Sequence, residues 1–272
     1  MPELPEVETT ISELKPEIEG KRITGVEIFS EKQVAAPSIE DFIQGLSGRR
    51  ITDLERRGKY LIFRLDNGKV LIIHLRMTGS LLIKPENEEP EKAIRAVIFL
   101  DSGKAIHFRD VRRFGRMWLV NDEKEVVGKL GAEPLDPDFT PELLKRIING
   151  RRTPIKSLLM NQSLIAGIGN MYADEALFYA RIHPLQPANS LTDEEIQRLH
   201  AAIQEVLRLG IQNRGASTDT YIRPAGIKGG AQLEFRVAHQ KGKSCPVCGG
   251  PIERIVVQQR GTFFCPRCQQ LH

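Results

Sequence analysis

CPVCGGPIERIVVQQRGTFFCPRC, residues 245–268, is the stretch that decides the fold of the C-terminal part of the chain. It holds two Cys-x2-Cys pairs separated by 16 residues, a spacing typical of a tetrahedral zinc site made of thiolates. β-Branched and aromatic residues at 252–257 and 262–264 predict a β-hairpin that brings the two pairs together. The sequence therefore predicts a zinc ribbon over 239–272 that binds one structural Zn²⁺. The predicted ligands are Cys245, Cys248, Cys265 and Cys268.

This motif uses all four cysteines of the chain, so none remains for a disulfide, in agreement with a reducing compartment. Four protein thiolates leave no open coordination position, so the metal is predicted to fold the tail and not to catalyse a reaction. Iron held by the same ligands is the alternative. Arg260 and Gly261 are predicted at the tip of the hairpin, where a guanidinium can bind a phosphate with two hydrogen bonds.

Length and composition indicate an ordinary globular protein of 272 residues with a net charge of +4. No apolar run approaches the roughly 18 residues that span a bilayer, and the acidic N-terminus does not resemble a signal peptide. We therefore expect a cytoplasmic protein with no membrane partner. Acidic residues concentrate at 86–91, a predicted solvated loop, whereas basic residues form three clusters that favour a polyanionic partner. These clusters are Arg49, Arg50, Arg56, Arg57 and Lys59; Lys104, Arg109, Arg112, Arg113 and Arg116; and Lys145, Arg146, Arg151, Arg152 and Lys156.

The chain begins Met1-Pro2-Glu3, and removal of Met1 would leave Pro2 with a free secondary amine beside a carboxylate. An α-amino group has a pKa of about 7.7–8.0, so an appreciable fraction is neutral at pH 7. Such an amine can attack a sugar aldehyde carbon, and the resulting iminium ion is an electron sink for elimination of the neighbouring phosphates. The alternative is that Pro2 only starts a helix, where proline needs no N–H.

Residues 7–18 have the periodicity of an amphipathic helix, which would place Pro2 at the helix N-terminus. The apolar positions and the glycine that follows them as a stop signal are Val7, Ile11, Leu14, Ile18 and Gly20. From residue 23 to about 120, short β-rich runs separated by Asn-Gly and Ser-Gly turns predict a sandwich or a barrel.

A proline-rich connector at 133–137 marks the change from strands to helices. Thr140-Pro141 and Thr153-Pro154 are predicted as an N-cap residue followed by a proline at the first helical position. Thr192 and Glu195 are predicted as a capping box. The predicted organisation is therefore an α+β multidomain chain, with a β-rich domain over 2–130, a helical domain over 131–238 and the zinc ribbon over 239–272.

Six motifs, in order along the chain, resemble the bacterial formamidopyrimidine-DNA glycosylase family. They are Met1-Pro-Glu-Leu-Pro-Glu-Val-Glu-Thr9, Arg57-Gly-Lys-Tyr60, His74-Leu-Arg-Met-Thr-Gly79, Arg109-Asp-Val-Arg-Arg-Phe-Gly115, Gly167-Ile-Gly-Asn-Met-Tyr-Ala-Asp-Glu175 and Gln259-Arg-Gly-Thr-Phe-Phe-Cys-Pro-Arg-Cys-Gln269. The resemblance implies an N-terminal β-sandwich with a leading helix, a helix–two-turn–helix domain and a zinc hairpin. It also implies a bifunctional glycosylase and abasic-site lyase of base excision repair, which removes 8-oxoguanine and formamidopyrimidines from double-stranded DNA. Monomer is the default expectation.

The resemblance implies a catalytic role for four residues. Pro2 is similar to the family's Schiff-base nucleophile, and Glu3 to the acid that helps to open the deoxyribose ring. Lys59 resembles a turn lysine that shuttles protons, and Arg260 the hairpin arginine linked to the last step of β,δ-elimination. By residue type alone, Lys59 would be a solvated turn lysine and Glu3 a partner of the helix dipole.

The resemblance also implies DNA contacts. Met77, Arg112 and Phe114 resemble side chains that fill the gap left by an extruded nucleotide, although by type Met77 and Phe114 would be core residues. Asn170 would bind the lesion phosphate together with Arg260, and 215–230 lies where the family has its lesion-capping loop. The predicted DNA-binding residues are Met77, Arg112, Arg113, Phe114, Arg151, Arg152, Lys156 and Asn170.

One departure from the family pattern is Ala93, which stands where many members have a DNA-contacting histidine. Either Arg95 replaces that contact or the contact is lost. Two other functions are alternatives. An endonuclease VIII-like enzyme for oxidised pyrimidines would usually have glycine in place of Leu4 and would lack the Arg-Arg-Phe element. A non-catalytic zinc-ribbon DNA-binding protein would have no reason to hold Pro2, Glu3 and Lys59 together.

Overall fold

The computed structural model describes residues 1–218 and 220–272. It consists of two compact units, one formed by Met1–Lys129 and Asn213–Gln232, the other by Leu130–Gln212 and Leu233–His272. These units divide the chain differently from the three predicted domains. The segment after the last long helix packs with the N-terminal unit, and the cysteine-containing segment packs with the helical one.

The first unit is a helix on a β-sandwich, as the resemblance implies. Its helices are α1 (Leu4–Ile18), α2 (Ile39–Leu46) and α3 (Lys124–Val127). Its strands are β1 (Ile23–Ile28), β2 (Val34–Ala36), β3 (Ile51–Arg57), β4 (Tyr60–Leu65), β5 (Val70–His74), β6 (Gly79–Pro85), β7 (Ile94–Leu100), β8 (Lys104–Asp110) and β9 (Arg116–Val120). A four-stranded sheet has the order β1-β7-β8-β6, and a five-stranded sheet the order β2-β9-β5-β4-β3. Only the β2–β9 pair is parallel among the strand pairs of the described residues.

Both sheets and α1 share one buried core. Its members include Leu14 on α1, Phe63 and Ile73 on the five-stranded sheet, and Ile98 and Phe108 on the four-stranded sheet. Burial of each such side chain contributes about 1.5–3 kcal/mol relative to exposure. The predicted helical stripe is therefore confirmed as the face by which α1 covers the sandwich.

The second unit contains helices α4 (Pro141–Ile148), α5 (Ile155–Leu159), α6 (Asn170–Ala180) and α7 (Asp193–Gln212). The Thr140 hydroxyl caps α4 by accepting from the Leu143 N–H at 3.2 Å. The capping box before α7 is also confirmed, because the Thr192 N–H donates to Glu195 Oε2 at 2.9 Å and the Glu195 N–H to Thr192 Oγ1 at 3.3 Å.

The predicted Thr153-Pro154 cap is wrong by one position. Pro154 is the N-cap residue, and α5 begins at Ile155. The preceding backbone is held elsewhere, since the Thr153 carbonyl accepts from the Ala188 N–H at 3.0 Å and Pro154 bridges Pro187. Tertiary hydrogen bonds therefore decide where this helix starts.

The cysteine-containing segment forms a hairpin of β10 (Glu253–Val257) and β11 (Arg260–Phe264). Gln258 and Gln259 make a two-residue turn, and both have positive φ, 43° and 61°, as the twist of a tight hairpin requires. The predicted tip was wrong in detail, because Arg260 pairs with Val257 as the first residue of β11. Among the described residues, no helix has the length and apolarity to cross a bilayer.

Candidate active site and nucleic-acid interface

The N-terminus of α1 holds the predicted nucleophile. Pro2 and Glu3 are both buried, and Glu3 is the N-cap residue of the helix. The Glu3 N–H donates to Glu6 Oε2 at 2.7 Å, and the Glu3 side chain accepts from the Glu6 N–H, which completes a capping box. This reciprocal arrangement fixes the backbone beside Pro2 at a helix N-terminus.

Glu6 also attaches the segment 215–230, the predicted lesion-capping loop, to the same helix. Its Oε1 accepts from the Ala216 N–H at 2.7 Å, and its carbonyl accepts from the Tyr221 hydroxyl at 2.9 Å. Burial raises the pKa of Tyr221, so this residue stays a hydroxyl donor at neutral pH. Asp219 lies outside the described residues. The described part of the loop is thus held against the helix that carries Pro2.

Lys59 occupies the two-residue turn between β3 and β4. Its side chain is only 5% exposed, so the interpretation as a solvated turn lysine is wrong. The Arg56 guanidinium holds the turn, donating to Glu8 Oε2 at 2.8 Å and to the Gly58 carbonyl at 3.2 Å. Because Glu8 is on α1, this ion pair joins the lysine turn to the helix of Pro2 and Glu3.

His74 is a candidate site residue that sequence reasoning missed, although it opens one of the quoted motifs. Burial, together with the positive charges of Arg76 and Lys59, lowers the pKa of this imidazole to about 3. Its Nδ1 accepts from the Arg76 N–H at 2.9 Å, so the ring is neutral and its proton lies on Nε2. The edge-on contact with the Tyr60 ring, 4.5 Å between centroids, holds this orientation. A neutral donor with a set tautomer suits a phosphate oxygen.

The predicted gap-filling residues lie on two loops of the first unit. Met77 is 36% exposed and Phe114 45% exposed, so the core-residue interpretation is wrong for both. The Arg112 guanidinium lies over the Phe114 ring, 4.8 Å from its centroid. Arg113 is exposed in the left-handed region, with φ of 59°. A ring stacked with a planar cation therefore faces solvent on one loop, and a flexible thioether is exposed on the other, which are side chains suited to a wedge for duplex DNA.

Arg95 does not replace the histidine whose position Ala93 occupies. Its side chain is buried, its Nε donates to the Asp110 carbonyl at 2.7 Å, and its Nη1 donates to the Lys92 carbonyl at 3.1 Å. These bonds hold the guanidinium inside the protein. The expectation that Arg95 could contact DNA is therefore wrong.

In the second unit, Lys156 differs from its prediction as a surface cation. It is fully buried and forms an ion pair with Asp174, 2.7 Å between Nζ and Oδ1. Nζ also donates to Thr262 Oγ1 at 2.7 Å, and Asp174 Oδ2 accepts from the Phe263 N–H at 3.0 Å. The prediction that Lys156 contacts a phosphate directly is therefore wrong; the lysine anchors β11 to α6.

Asn170 is the first residue of α6, and its Nδ2 donates to the Gly261 carbonyl at 2.9 Å. The structure thus brings Asn170 next to Arg260 on the hairpin, two residues predicted to share one phosphate. A groove of about 730 Å³ in the same unit is lined by Arg151, Arg152 and Arg260. All three arginines are exposed. Three guanidinium groups around one groove are suited to bind phosphates.

The four cysteines form a metal site. Their Sγ atoms all lie within 4.8 Å of one another, with 3.8 Å between Cys245 and Cys268 and 3.4 Å between Cys248 and Cys265. A tetrahedron with Zn–S bonds of about 2.3 Å has edges of about 3.8 Å, so the donors fit a single Zn²⁺. The bound ion would hold both ends of the hairpin together and thereby set the place of Arg260.

Glu175 on α6, a further residue that sequence reasoning missed, anchors the segment that leads into the zinc ribbon. Its carboxylate accepts from three consecutive backbone N–H groups, those of Arg236, Val237 and Ala238, at 3.0, 2.9 and 2.8 Å. Burial raises the pKa of this carboxyl, whereas the three donors favour its charged form. Helix α6 therefore holds the zinc segment at two places.

Three family models match consecutive parts of the chain. The formamidopyrimidine-DNA glycosylase N-terminal domain matches residues 1–117, the H2TH domain of the same enzymes matches 130–221, and the zinc finger found in FPG and IleRS matches 242–271. Fold and site together thus define a zinc-finger protein of the helix–two-turn–helix class.

Relatives and solved structures agree over the whole length. The formamidopyrimidine-DNA glycosylase of Symbiobacterium thermophilum is 46% identical, covering 99% of this chain and 89% of the relative. A Lactococcus lactis FPG mutant in complex with Fapy-dG containing DNA has a TM-score of 0.93 and 36% identity, covering 99% of this chain and 100% of the other. The Lactococcus lactis Fpg complex with abasic site containing DNA has the same TM-score and identity, with 98% and 99% covered. The chain belongs to the formamidopyrimidine-DNA glycosylase family.

Proposed function

We propose that the protein is a bifunctional DNA glycosylase and abasic-site lyase that removes formamidopyrimidines and 8-oxoguanine from double-stranded DNA. The observation that carries this proposal is the N-terminus of α1, where Pro2 and Glu3 are held by a capping box and joined to the buried Lys59 turn. Lactococcus lactis Fpg has been solved with Fapy-dG, abasic and oxidised-pyrimidine DNA, which supports damaged DNA as the substrate. The choice of formamidopyrimidines over oxidised pyrimidines is supported by the matched domain and the relatives, which are formamidopyrimidine-DNA glycosylases.

In the proposed reaction, the Pro2 amine freed by removal of Met1 attacks C1′ of the damaged nucleotide. The bond between C1′ and the base breaks, and the base leaves with the proton that the Pro2 nitrogen gives up. Glu3 protonates the ring oxygen O4′ as the bond between C1′ and O4′ breaks and the deoxyribose opens. The product is an iminium ion on C1′, which acidifies the proton on C2′. Loss of that proton expels the 3′ phosphate, and a second elimination expels the 5′ phosphate, with Lys59 as the proton shuttle.

The remaining proposed residues bind DNA. Asn170 and Arg260 hold the lesion phosphate, and Arg151 and Arg152 line one groove with Arg260. Met77, Arg112 and Phe114 fill the gap left by the extruded nucleotide, with Arg113 beside them. A monomer remains the default expectation. The four cysteines form a metal site and no disulfide, which together with a DNA substrate supports a cytoplasmic location.

Borohydride trapping on an abasic duplex tests the proposal. Protein whose intact mass shows that Met1 has been removed should form a covalent adduct with the DNA, because borohydride reduces the iminium ion to a stable amine. The matched control is protein that retains Met1, in which the Pro2 nitrogen is an amide and cannot attack. Glu3→Gln should block base removal. Full-rate excision of 8-oxoguanine by a preparation with Met1 on every molecule would overturn the assignment of Pro2.

A further inference from the structure

Two buried polar side chains connect the loops that carry the exposed gap-filling residues. The first loop, 75–79, carries Met77, and the second, 110–115, carries Phe114. Thr78 is 2% exposed and Asp110 is 0% exposed, whereas Met77 and Phe114 on the same loops are exposed. Neither has a part in the chemistry proposed above.

A single hydroxyl and a single carboxylate make the connection. The Thr78 hydroxyl donates to Asp110 Oδ1 and accepts from the Arg112 N–H at 3.0 Å. Asp110 Oδ2 accepts from the Gly115 N–H at 2.7 Å. Thr78, the residue next to Met77, is therefore bonded to Asp110 at the start of the second loop and to Arg112 in its middle. The Asp110 carboxylate closes that loop at its end, at Gly115.

Asp110 is itself held in place by the sheet. Its N–H donates to the Ala93 carbonyl at 2.9 Å, its carbonyl accepts from Arg95 Nε at 2.7 Å, and it pairs with Gly79 across β6 and β8. Buried bonds to a charged carboxylate are stronger than neutral ones, and a fully satisfied network is rigid.

The backbone of both loops is also closely packed. A Cβ atom on Gly79 would lie 2.3 Å from the Leu75 carbonyl oxygen, and one on Gly115 would lie 2.4 Å from the Phe108 ring. Each loop therefore turns back at a position where only glycine fits.

We propose that Thr78 and Asp110 are positioning residues that hold the two loops as one rigid wedge, so that Met77 and Phe114 enter the duplex together. The inference rests on the proposed function, because gap filling presupposes an extruded nucleotide. Preorganisation lowers the entropy lost when side chains are ordered on binding. Without the connection, each side chain would have to find its place in the duplex separately.

The test compares two substrates with one set of variants. Thr78→Val removes the hydroxyl at nearly constant volume, Thr78→Ser keeps it, and Thr52→Val removes a hydroxyl that donates only to the Arg64 carbonyl on β4. In single-turnover assays, Thr78→Val should slow excision of 8-oxoguanine from duplex DNA by about tenfold, the effect of losing a bond to a charged group. Cleavage at a preformed abasic site should change by less than about twofold, since no base is extruded there. Thr78→Ser and Thr52→Val should match the wild type on both substrates.

Equal losses on both substrates, or no loss on either, would overturn the inference. Its second test needs no buried substitution. If the wedge acts as one unit, Met77→Ala and Phe114→Ala should not be additive, and the double variant should excise 8-oxoguanine about as slowly as the worse single variant. Multiplying losses would show independent loops and contradict the inference. If the wild type did not excise 8-oxoguanine at all, the proposed function would be overturned. Failure of the inference alone would leave excision by the wild type intact, so the two failures are distinguishable.

Discussion

The buried ion pair between Lys156 and Asp174 allows a stability prediction with a magnitude. The two side chains are 0% and 1% exposed, so solvent does not screen their interaction. Lys156→Met would leave the carboxylate without its counter-ion, at a cost of about 3–5 kcal/mol. Each kcal/mol lowers the melting temperature of a chain of this size by about 2–4 °C, so we expect a decrease of about 6–20 °C.

A second substitution separates lost charge pairing from lost packing. Asp174→Asn in the Lys156→Met background removes the unpaired charge and keeps an acceptor for the Phe263 N–H, so the double variant should be more stable than Lys156→Met alone. Burial already raises the pKa of Asp174 to about 7. When folding raises the pKa of a carboxyl, the free energy of unfolding decreases as the pH increases from the pKa of the unfolded chain, about 3.9, to the pKa of the folded protein. Loss of Lys156 raises that pKa further, so the defect of Lys156→Met should stay nearly constant below about pH 6 and grow as the pH rises above about 7.

The assays are calorimetry of the zinc-loaded protein and the salt dependence of affinity for an abasic duplex. Because Lys156 is enclosed, Lys156→Met should leave the slope of log affinity against log salt unchanged. The matched surface variant Arg151→Ala should reduce that slope by about 0.9, the value for one neutralised phosphate. An unchanged melting temperature together with a reduced slope for Lys156→Met would refute the reasoning and place Lys156 on the DNA.

Two further predictions concern pH and metal. His74 takes up a second ring proton only below about pH 3 in the folded protein, but near about pH 6.5 in the unfolded chain. Its contribution to stability is therefore complete above about pH 6.5 and decreases by about 1.4 kcal/mol for each pH unit below that value. His74→Gln should therefore flatten the dependence of melting temperature on pH between 6.5 and 5 by calorimetry; an unchanged curve would contradict the neutral buried imidazole. Cys248→Ser should lose both zinc, by metal analysis, and affinity for abasic DNA, by titration, because Arg260 would no longer be held; full affinity without zinc would show that the hairpin folds unaided.

Features that depend on residues close in sequence could be predicted from the sequence. The Cys-x2-Cys pairs specify the zinc ligands because the two cysteines of each pair bind the metal from a single turn. The capping box of Thr192 and Glu195 needs only a spacing of three residues, and the stripe on α1 needs only the helical period. The six motifs identified the family for the same reason, since each motif is contiguous.

The sequence by itself therefore determined the class of fold, the metal site and the chemistry that the Pro2 terminus can perform. Only the tertiary structure decided which cations face solvent: Arg151 is exposed, whereas Lys156, five residues later, is buried against Asp174 and Thr262. The same holds for the exposed Phe114, whose residue type favours a core. The physical reason is that burial and pairing depend on partners distant in the chain, and Thr262 lies 106 residues from Lys156. No local pattern of charge or hydrophobicity contains that information.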